Sequence, residues 1–242
     1  FFDGVVIDFE LLKGEELAKL FNEFLRELKD MLKDKKLYVA VHPRMKPGFT
    51  CFDGYDYTTI GTIADKVILM AHDYGANSLT KDEMEAGYND TPLAPIDEIY
   101  YALREITDNS KGVVDTDKIW LQISFDSIQW QKKDGRIINQ YAKKPYYESI
   151  YNRLLQDVKI EYSDTYKYTW ATFNNKEDDT ENIIWYEDSR SVSEKIKLAK
   201  MFGINGISLW RLGNIPSYEN PHDKEIYLNV WQNIIGELYP VQ

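Results

Sequence analysis

The sequence predicts an α/β chain whose parallel sheet is flanked by helices. Short β-branched and aromatic runs alternate with amphipathic helical stretches along most of the chain, and strand–helix–strand succession is how parallel strands are joined. Hydrophobic residues make up 43% of the 242, enough for a sizeable core. No run of roughly eighteen apolar residues occurs, so no membrane-inserted segment is expected.

The elements follow in order. Residues 4–10 read as a strand. From Gly14 the apolar positions Leu17, Leu20, Phe21, Phe24, Leu25, Leu28 and Leu32 recur with helical spacing. Leu37–Val41 reads as a buried strand stopped by Pro43, Tyr55–Ala64 as a short helix, and Val67–Ala71 as a third strand. A polar loop with Gly75, Gly87 and Pro92 precedes a helix over Ile96–Thr107, and Ile119–Phe125 gives a fourth strand. Ser189–Phe202 forms an amphipathic helix ended by Gly203, Ile204–Trp210 a fifth strand, and Lys224–Leu238 a closing helix. The sixty or so residues between carry an Asp134-Gly135 turn signal, a helix near Tyr146–Gln156 and an alternating stretch at Tyr166–Phe173. They read as a small α+β insertion over 127–184, which leaves 1–126 and 185–242 as the main body.

Charge narrows the function classes. With 40 Asp+Glu against 29 Lys+Arg the net charge is −11, which argues against nucleic acid and anionic lipid as partners. The lone cysteine, Cys51, excludes an internal disulfide and a thiolate zinc site, and fits either redox compartment. Eighteen Tyr and six Trp suit a surface that holds sugar rings, and suit a large core better still. The chain starts inside a strand-like segment with no initiator Met and no signal pattern, which reads as part of a longer or processed protein.

Two architectures fit the succession of elements, an open doubly wound sheet and a (β/α) barrel; the lack of a Gly-rich phosphate loop weakens the nucleotide-binding form of the first. In both, working residues sit at strand C-terminal ends. That rule selects Asp8, Glu10, His42, Arg44, His72, Asp73, Tyr74, Asp126 and Trp210. Asp8 and Glu10, two apart on a strand, share one face. If the pair is partly dry, one carboxyl stays protonated beside an ionised neighbour, as acid catalysis of glycoside cleavage requires. The same two residues would also serve as an ordinary solvated strand end.

Asp3-Gly4-Val5-Val6-Ile7-Asp8-Phe9-Glu10 resembles the fourth-strand signature of glycoside hydrolase family 18. Leu69-Met70-Ala71-His72-Asp73-Tyr74-Gly75 resembles its sixth-strand motif. Trp185-Tyr186-Glu187-Asp188-Ser189-Arg190-Ser191, followed by Gly206-Ile207-Ser208-Leu209-Trp210-Arg211-Leu212-Gly213, resembles the seventh helix and eighth strand of the spore-germination branch, the cortex-lytic N-acetylglucosaminidases. The resemblance implies a (β/α)8 barrel of TIM type, here incomplete with strands four to eight and a small α+β insertion after the seventh. It implies a retaining, substrate-assisted hydrolysis of β-1,4-linked N-acetylglucosamine glycans, peptidoglycan or chitin oligomers, with no cofactor and no metal. Glu10 matches the general acid, Asp8 the carboxylate that orients the 2-acetamido group, and Asp73 a residue that holds the distorted sugar. Trp210 matches the stacking floor, and His72, Asp126, Met70, Tyr74 and Arg44 fall among the substrate contacts. The location it implies is extracellular, at the cell envelope or spore.

Three positions depart from the family pattern: Val6 stands where Asp or Asn is usual, His72 where a Tyr donates to the acetamido group, and Asp126 where a Tyr is usual. Val6 and His72 favour a second reading, a lectin-like glycan-binding member without turnover; the presence of both Asp8 and Glu10 opposes it. A metal-dependent hydrolase built on His42, His72, Asp73 and Asp126 is a third reading, weakened by the absence of His-x-His or His-Glu-x-x-His. His222 reads as a surface or capping residue. Five barrel strands leave two open edges, so three further strands belong to a longer chain, another chain supplies them, or the remnant is rearranged; a true remnant predicts a homo-oligomer that hides the edges.

Overall fold

The computed structural model describes residues 2–46 and 52–238; Cys51 lies outside them. Along the chain the elements are β1 (Gly4–Ile7), α1 (Gly14–Leu32), β2 (Lys36–Val41), α2 (Tyr57–Ile63), β3 (Lys66–Leu69), α3 (Lys81–Glu85), α4 (Ile96–Ile106), β4 (Ile119–Ser124) and β5 (Ile128–Lys133). They continue as β6 (Arg136–Ile137), α5 (Tyr147–Leu154), β7 (Lys159–Ser163), β8 (Tyr168–Asn175), β9 (Thr180–Tyr186), α6 (Ser189–Met201), β10 (Gly206–Trp210) and α7 (Val230–Leu238). The chain divides into two compact units. Phe1–Ala71, Asp97–Ile123 and Lys197–Ser208 form the first; His72–Ile96, Ser124–Ile196 and Leu209–Gln242 form the second.

The first unit is built on the predicted sheet, in the order β1-β2-β3-β4-β10. Its first four strands are parallel neighbours, with Ile7 beside Val39, Val41 beside Leu69 and Leu69 beside Leu121. Alternation gives the sheet two faces. Leu37, Val39, Val41, Val67, Leu69, Ile119 and Leu121 are fully buried on one of them. On this unit's helices Leu25, Ile60, Leu103 and Ile106 are equally buried. Helix α1 packs on β2 and α2, and α2 on β3. The opposite face carries a smaller cluster of Ala40, Ile68 and Met70, flanked by Tyr38 and Trp120. The Trp120 indole lies so close to Gly206 that a Cβ there would come within 2.0 Å of the ring, so β10 needs a glycine at this point.

Four sequence expectations are corrected here. The first strand ends at Ile7 rather than at residue 10, because Phe9 turns its ring onto Phe21 and Phe24 of α1 and gives its carbonyl to the Tyr55 hydroxyl at 2.7 Å. Helix α1 buries a narrower stripe than its periodicity suggests: Phe21 and Leu25 are buried, whereas Leu17, Leu20 and Phe24 remain exposed. The closing helix starts at Val230, not Lys224. Asn220 Oδ1 accepts the backbone N–H groups of Ile226 and Tyr227, and Tyr227 adopts a positive φ of 56°, which holds this stretch out of a helix. The loop expected before α4 also contains α3, formed because Thr80 and Glu83 make a reciprocal capping box.

The second unit carries an antiparallel sheet in the order β6-β5-β9-β8-β7. The Asp134-Gly135 turn closes the β5–β6 hairpin with both residues at positive φ, 49° and 82°, the backbone such a two-residue turn demands. Ile128, Trp130, Tyr168, Ala171 and Tyr186 are fully buried. The Trp130 and Trp185 indoles donate to Thr91 Oγ1 and the Asn89 carbonyl, fastening the loop before α4 onto this sheet.

Where β9 meets α6 lies a buried polar network. Asp188 caps α6, its Oδ1 accepting from the Arg190 and Ser191 backbone N–H groups, while its Oδ2 takes Thr169 and the Arg190 guanidinium. Glu187 is paired with Lys195 at 2.8 Å, both out of water. Burial pushes the Glu187 carboxyl up despite the opposing pull of Lys195. No helix of the described residues is long and apolar enough to cross a membrane.

Asp65, at the entry to β3, ties the first unit together. Its Oδ2 accepts Lys29 Nζ of α1 at 2.6 Å and the Leu37 backbone N–H of β2 at 2.8 Å, and its own N–H donates to the Leu37 carbonyl. Burial raises this carboxyl, but the Lys29 and Leu37 hydrogen bonds outweigh it and lower the pKa from 3.8 to about 2. A depressed carboxylate stabilises the fold above its unfolded pKa and loses that contribution as pH falls through the folded value. Asp65→Asn is therefore expected to cost about 2 kcal/mol at near-neutral pH. The deficit measured by urea melts should shrink between pH 3.8 and about 2; a deficit independent of pH would contradict the assignment.

Candidate active site

In the first unit the candidate segment is Asp8-Phe9-Glu10, leaving the C-terminal end of β1. Phe9 between the two carboxylates is anchored on Phe21 and Phe24 of α1. Both carboxylates are exposed, Glu10 with 54% of its side chain in water. The expected partly dry pair is thus corrected: the segment runs beyond the last paired strand residue, and the described elements leave it open. Glu10 Oε2 lies 3.8 Å from His42 Nε2, just past β2, and the His42 ring packs on Phe52 and Tyr55. Burial first, and then the charges of Glu10 and Asp8, push the Tyr55 hydroxyl up to about 12, so it stays protonated and keeps donating to the Phe9 carbonyl. Arg44 holds its guanidinium 4.6 Å above the Tyr57 ring and lines a hollow with Tyr55, Asp53 and Asp56. Met70, 6% exposed, belongs to the apolar cluster on the sheet face.

In the second unit the segment following β3 holds His72, Asp73 and Tyr74. His72 Nδ1 is 2.9 Å from Asp73 Oδ2, with the imidazole nearly buried and the carboxylate 44% exposed. Asp73 adopts a left-handed φ of 62°, uncommon for a residue with a side chain. The Tyr74 N–H donates to the Leu93 carbonyl, which fixes the segment's exit.

Asp126 and Trp210 meet in a hollow of about 270 Å³, shared with Lys144, Tyr146, Arg211 and Asn214. The Phe125 backbone sets this arrangement: its N–H donates to the Trp210 carbonyl at 2.7 Å, and its carbonyl accepts Asn214 Nδ2 at 2.6 Å. The peptide joining Trp210 to Arg211 is cis. Trp210 is 40% exposed and Tyr146 62%, so neither aromatic side chain is spent in the core. The volume lies just under the ~300–1,000 Å³ of pockets for drug-sized ligands, a size suited to a sugar ring.

Sequence reasoning missed Tyr168, read only as part of an alternating stretch. It is fully buried, and its hydroxyl has no hydrogen-bond partner among the described residues. Burial, then the charges of Glu187, Asp73 and Asp126 and the Tyr147 phenol, push its ionisation far up. A phenol kept protonated in that setting is a hydrogen-bond donor awaiting an acceptor. Tyr146, Lys144 and Asn214 were missed as well. Asn214 sits one residue past the Gly206–Gly213 motif, and that proximity was the available signal; Tyr146 was read only as the start of a helix, and Lys144 comes from a stretch with no pattern. His222 is exposed in a turn. Among the described residues, no group of three or more His, Cys, Asp or Glu could hold a metal ion.

Comparison with known proteins bears directly on these segments. The model of glycosyl hydrolases family 18 matches residues 1–214. The cortical fragment-lytic enzyme of Bacillus subtilis (strain 168) is 25% identical over 220 residues, covering 88% of this chain and 47% of the relative. The crystal structure of the Bacillus cereus spore cortex-lytic enzyme SleL superposes with a TM-score of 0.73 at 23% identity, over 99% of this chain and 50% of that one. A chitinase from Chromobacterium violaceum superposes at 0.71 with 20% identity, over 96% and 66%. These likenesses give the fold, that of TIM-barrel-type family 18 proteins. The chain spans about half the length of the curated relatives it matches. With a family model spanning most of its length, the chain belongs to glycosyl hydrolase family 18.

Proposed function

We propose that this chain carries glycosidase machinery for β-1,4-linked glycans containing N-acetylglucosamine, working by a retaining, substrate-assisted mechanism. The observation that carries the reading is the Asp8-Phe9-Glu10 segment, in which an anchored aromatic and a captured carbonyl hold two exposed carboxylates at a strand end. Glu10, as a carboxylic acid, gives its proton to the leaving glycosidic oxygen as the C1–O bond breaks. The carbonyl oxygen of the substrate's own 2-acetamido group attacks C1 and forms an oxazolinium ion, whose charge Asp8 stabilises. Water, deprotonated by the Glu10 carboxylate, then opens the ion at C1 and returns the original configuration.

Asp73 holds the distorted sugar, with His72 and Tyr74 beside it, while Asp126 and Trp210 supply a polar contact and a stacking face. Met70 lends an apolar surface, and Arg44 a cation steadied on Tyr57. Peptidoglycan is preferred over chitin, and the cell envelope or spore is the preferred location, because relatives carry cortex-lytic names. We read the strands β1 to β4 and β10 as the fourth to eighth of the barrel, with 127–184 as an insertion.

The exposed apolar residues support one more part of this reading. Val5 and Val6 on edge strand β1 are 37% and 56% exposed, and Leu17, Leu20 and Phe24 lie open on α1. An open edge with an apolar margin calls for a cover, and we assign it to an oligomer of this chain. Sedimentation equilibrium is expected to give a multiple of 28.4 kDa; a monomer at every concentration would contradict that assignment.

The catalytic reading rests on Glu10. Glu10→Gln is expected to cut release from a chromogenic N-acetylglucosamine oligomer by at least about a hundredfold, with circular dichroism and melting temperature unchanged. Undiminished release would overturn it.

A further inference from the structure

The Trp210 hollow has a charge that the neutral polymer does not explain. Lys144 and Arg211 both line it, and neither has an ion-pair partner among the described residues. Asp126 is the single carboxylate in the lining, so the hollow keeps a net charge of about +1 in a chain that is strongly acidic overall. Asn214 adds an independent sign of a missing ligand. It is 6% exposed, its Nδ2 is committed to the Phe125 carbonyl, and its Oδ1 is buried without a partner. A buried acceptor left unpaired is costly, and an amide or hydroxyl donor on a bound sugar would relieve it.

Resting on the reading of this hollow as a sugar site, we propose that Lys144 and Arg211 select glycans whose N-acetylhexosamine units carry a carboxylate, against the uncharged polymer. The aromatic faces of Trp210 and Tyr146 hold the ring, Asn214 takes a donor, and the two cations meet the carboxylate. Arg211 is suited to a two-pronged contact and Lys144 to a point contact. The carboxylate has two sources in cell-wall glycan, the lactyl ether of a muramyl unit and the free end of a peptide stem attached to it.

Calorimetric titration of the full chain tests the idea with four probes. They are a neutral N-acetylglucosamine oligomer, a peptide-free glycan with lactyl carboxylates, its methyl ester, and a glycan whose lactyl groups are amide-linked to peptide stems. The acid is expected to bind about tenfold more tightly than its ester, and the ratio should shrink with added salt. A matching preference for the stem-bearing glycan over its own ester would place the peptide carboxylate in the same contact. Lys144→Gln combined with Arg211→Gln should bring the acid-to-ester ratio close to one. Lys33→Gln combined with Lys81→Gln, which removes equal charge elsewhere, should keep it. Equal binding of acids and esters by the wild type, or a ratio that survives loss of Lys144 and Arg211, overturns the selection. If Trp210→Ala weakens the neutral oligomer while that ratio is one, only the selection fails; if it leaves every probe unaffected, the sugar-site reading fails with it.

Discussion

Parallel register is the constraint on which the site depends. A slip of one residue between β2 and β3 would turn Leu37, Val39 and Val41 from the buried face to the other, so burial and register enforce each other. Asp65 sets that register at one end, by exchanging hydrogen bonds with Leu37 while holding Lys29. Each candidate segment of the chain begins where a strand stops: Asp8 after β1, His42 after β2, Met70 to Asp73 after β3, Asp126 after β4 and Trp210 at the end of β10. The placement of these candidate residues thus follows from the packing of aliphatic residues behind them.

The second unit solves a different problem, holding irregular backbone in place. The Phe125 peptide is gripped on both sides, by Trp210 and Asn214, which brings Asp126 to the indole. Behind β9, a capped helix start and the paired Glu187 and Lys195 are wholly buried. Such a pair adds little net stability, yet removing one partner costs about 3–5 kcal/mol. Its place here is specification of one geometry where β9 turns into α6. Tyr162 and Tyr227, packed on Arg190, close that corner.

Much of this was legible in the sequence, for physical reasons that differ by element. The buried strands and α4 were readable because burial on one or both faces writes a strong apolar pattern, and Gly203 marked the end of α6. Family motifs singled out Asp8, Glu10, Asp73 and Trp210. What escaped was set by single hydrogen bonds: Tyr55 drawing Phe9 out of the strand, and Asn220 holding residues before Val230 out of a helix. The Thr80–Glu83 box was present in the sequence yet hidden in a polar stretch. Tyr168 and Lys144 matter through neighbours distant along the chain, and no local pattern announces them.

The chemistry proposed for Asp8 and Glu10 makes one stereochemical demand. Attack by the substrate's own acetamido oxygen inverts C1 once, and water inverts it again, so a β-linked substrate must release a β-hemiacetal. Proton NMR of the anomeric signals during the first minutes of N-acetylglucosamine oligomer hydrolysis measures this before mutarotation blurs it. The β-anomer is expected to appear first; initial release of the α-anomer would contradict substrate-assisted retention.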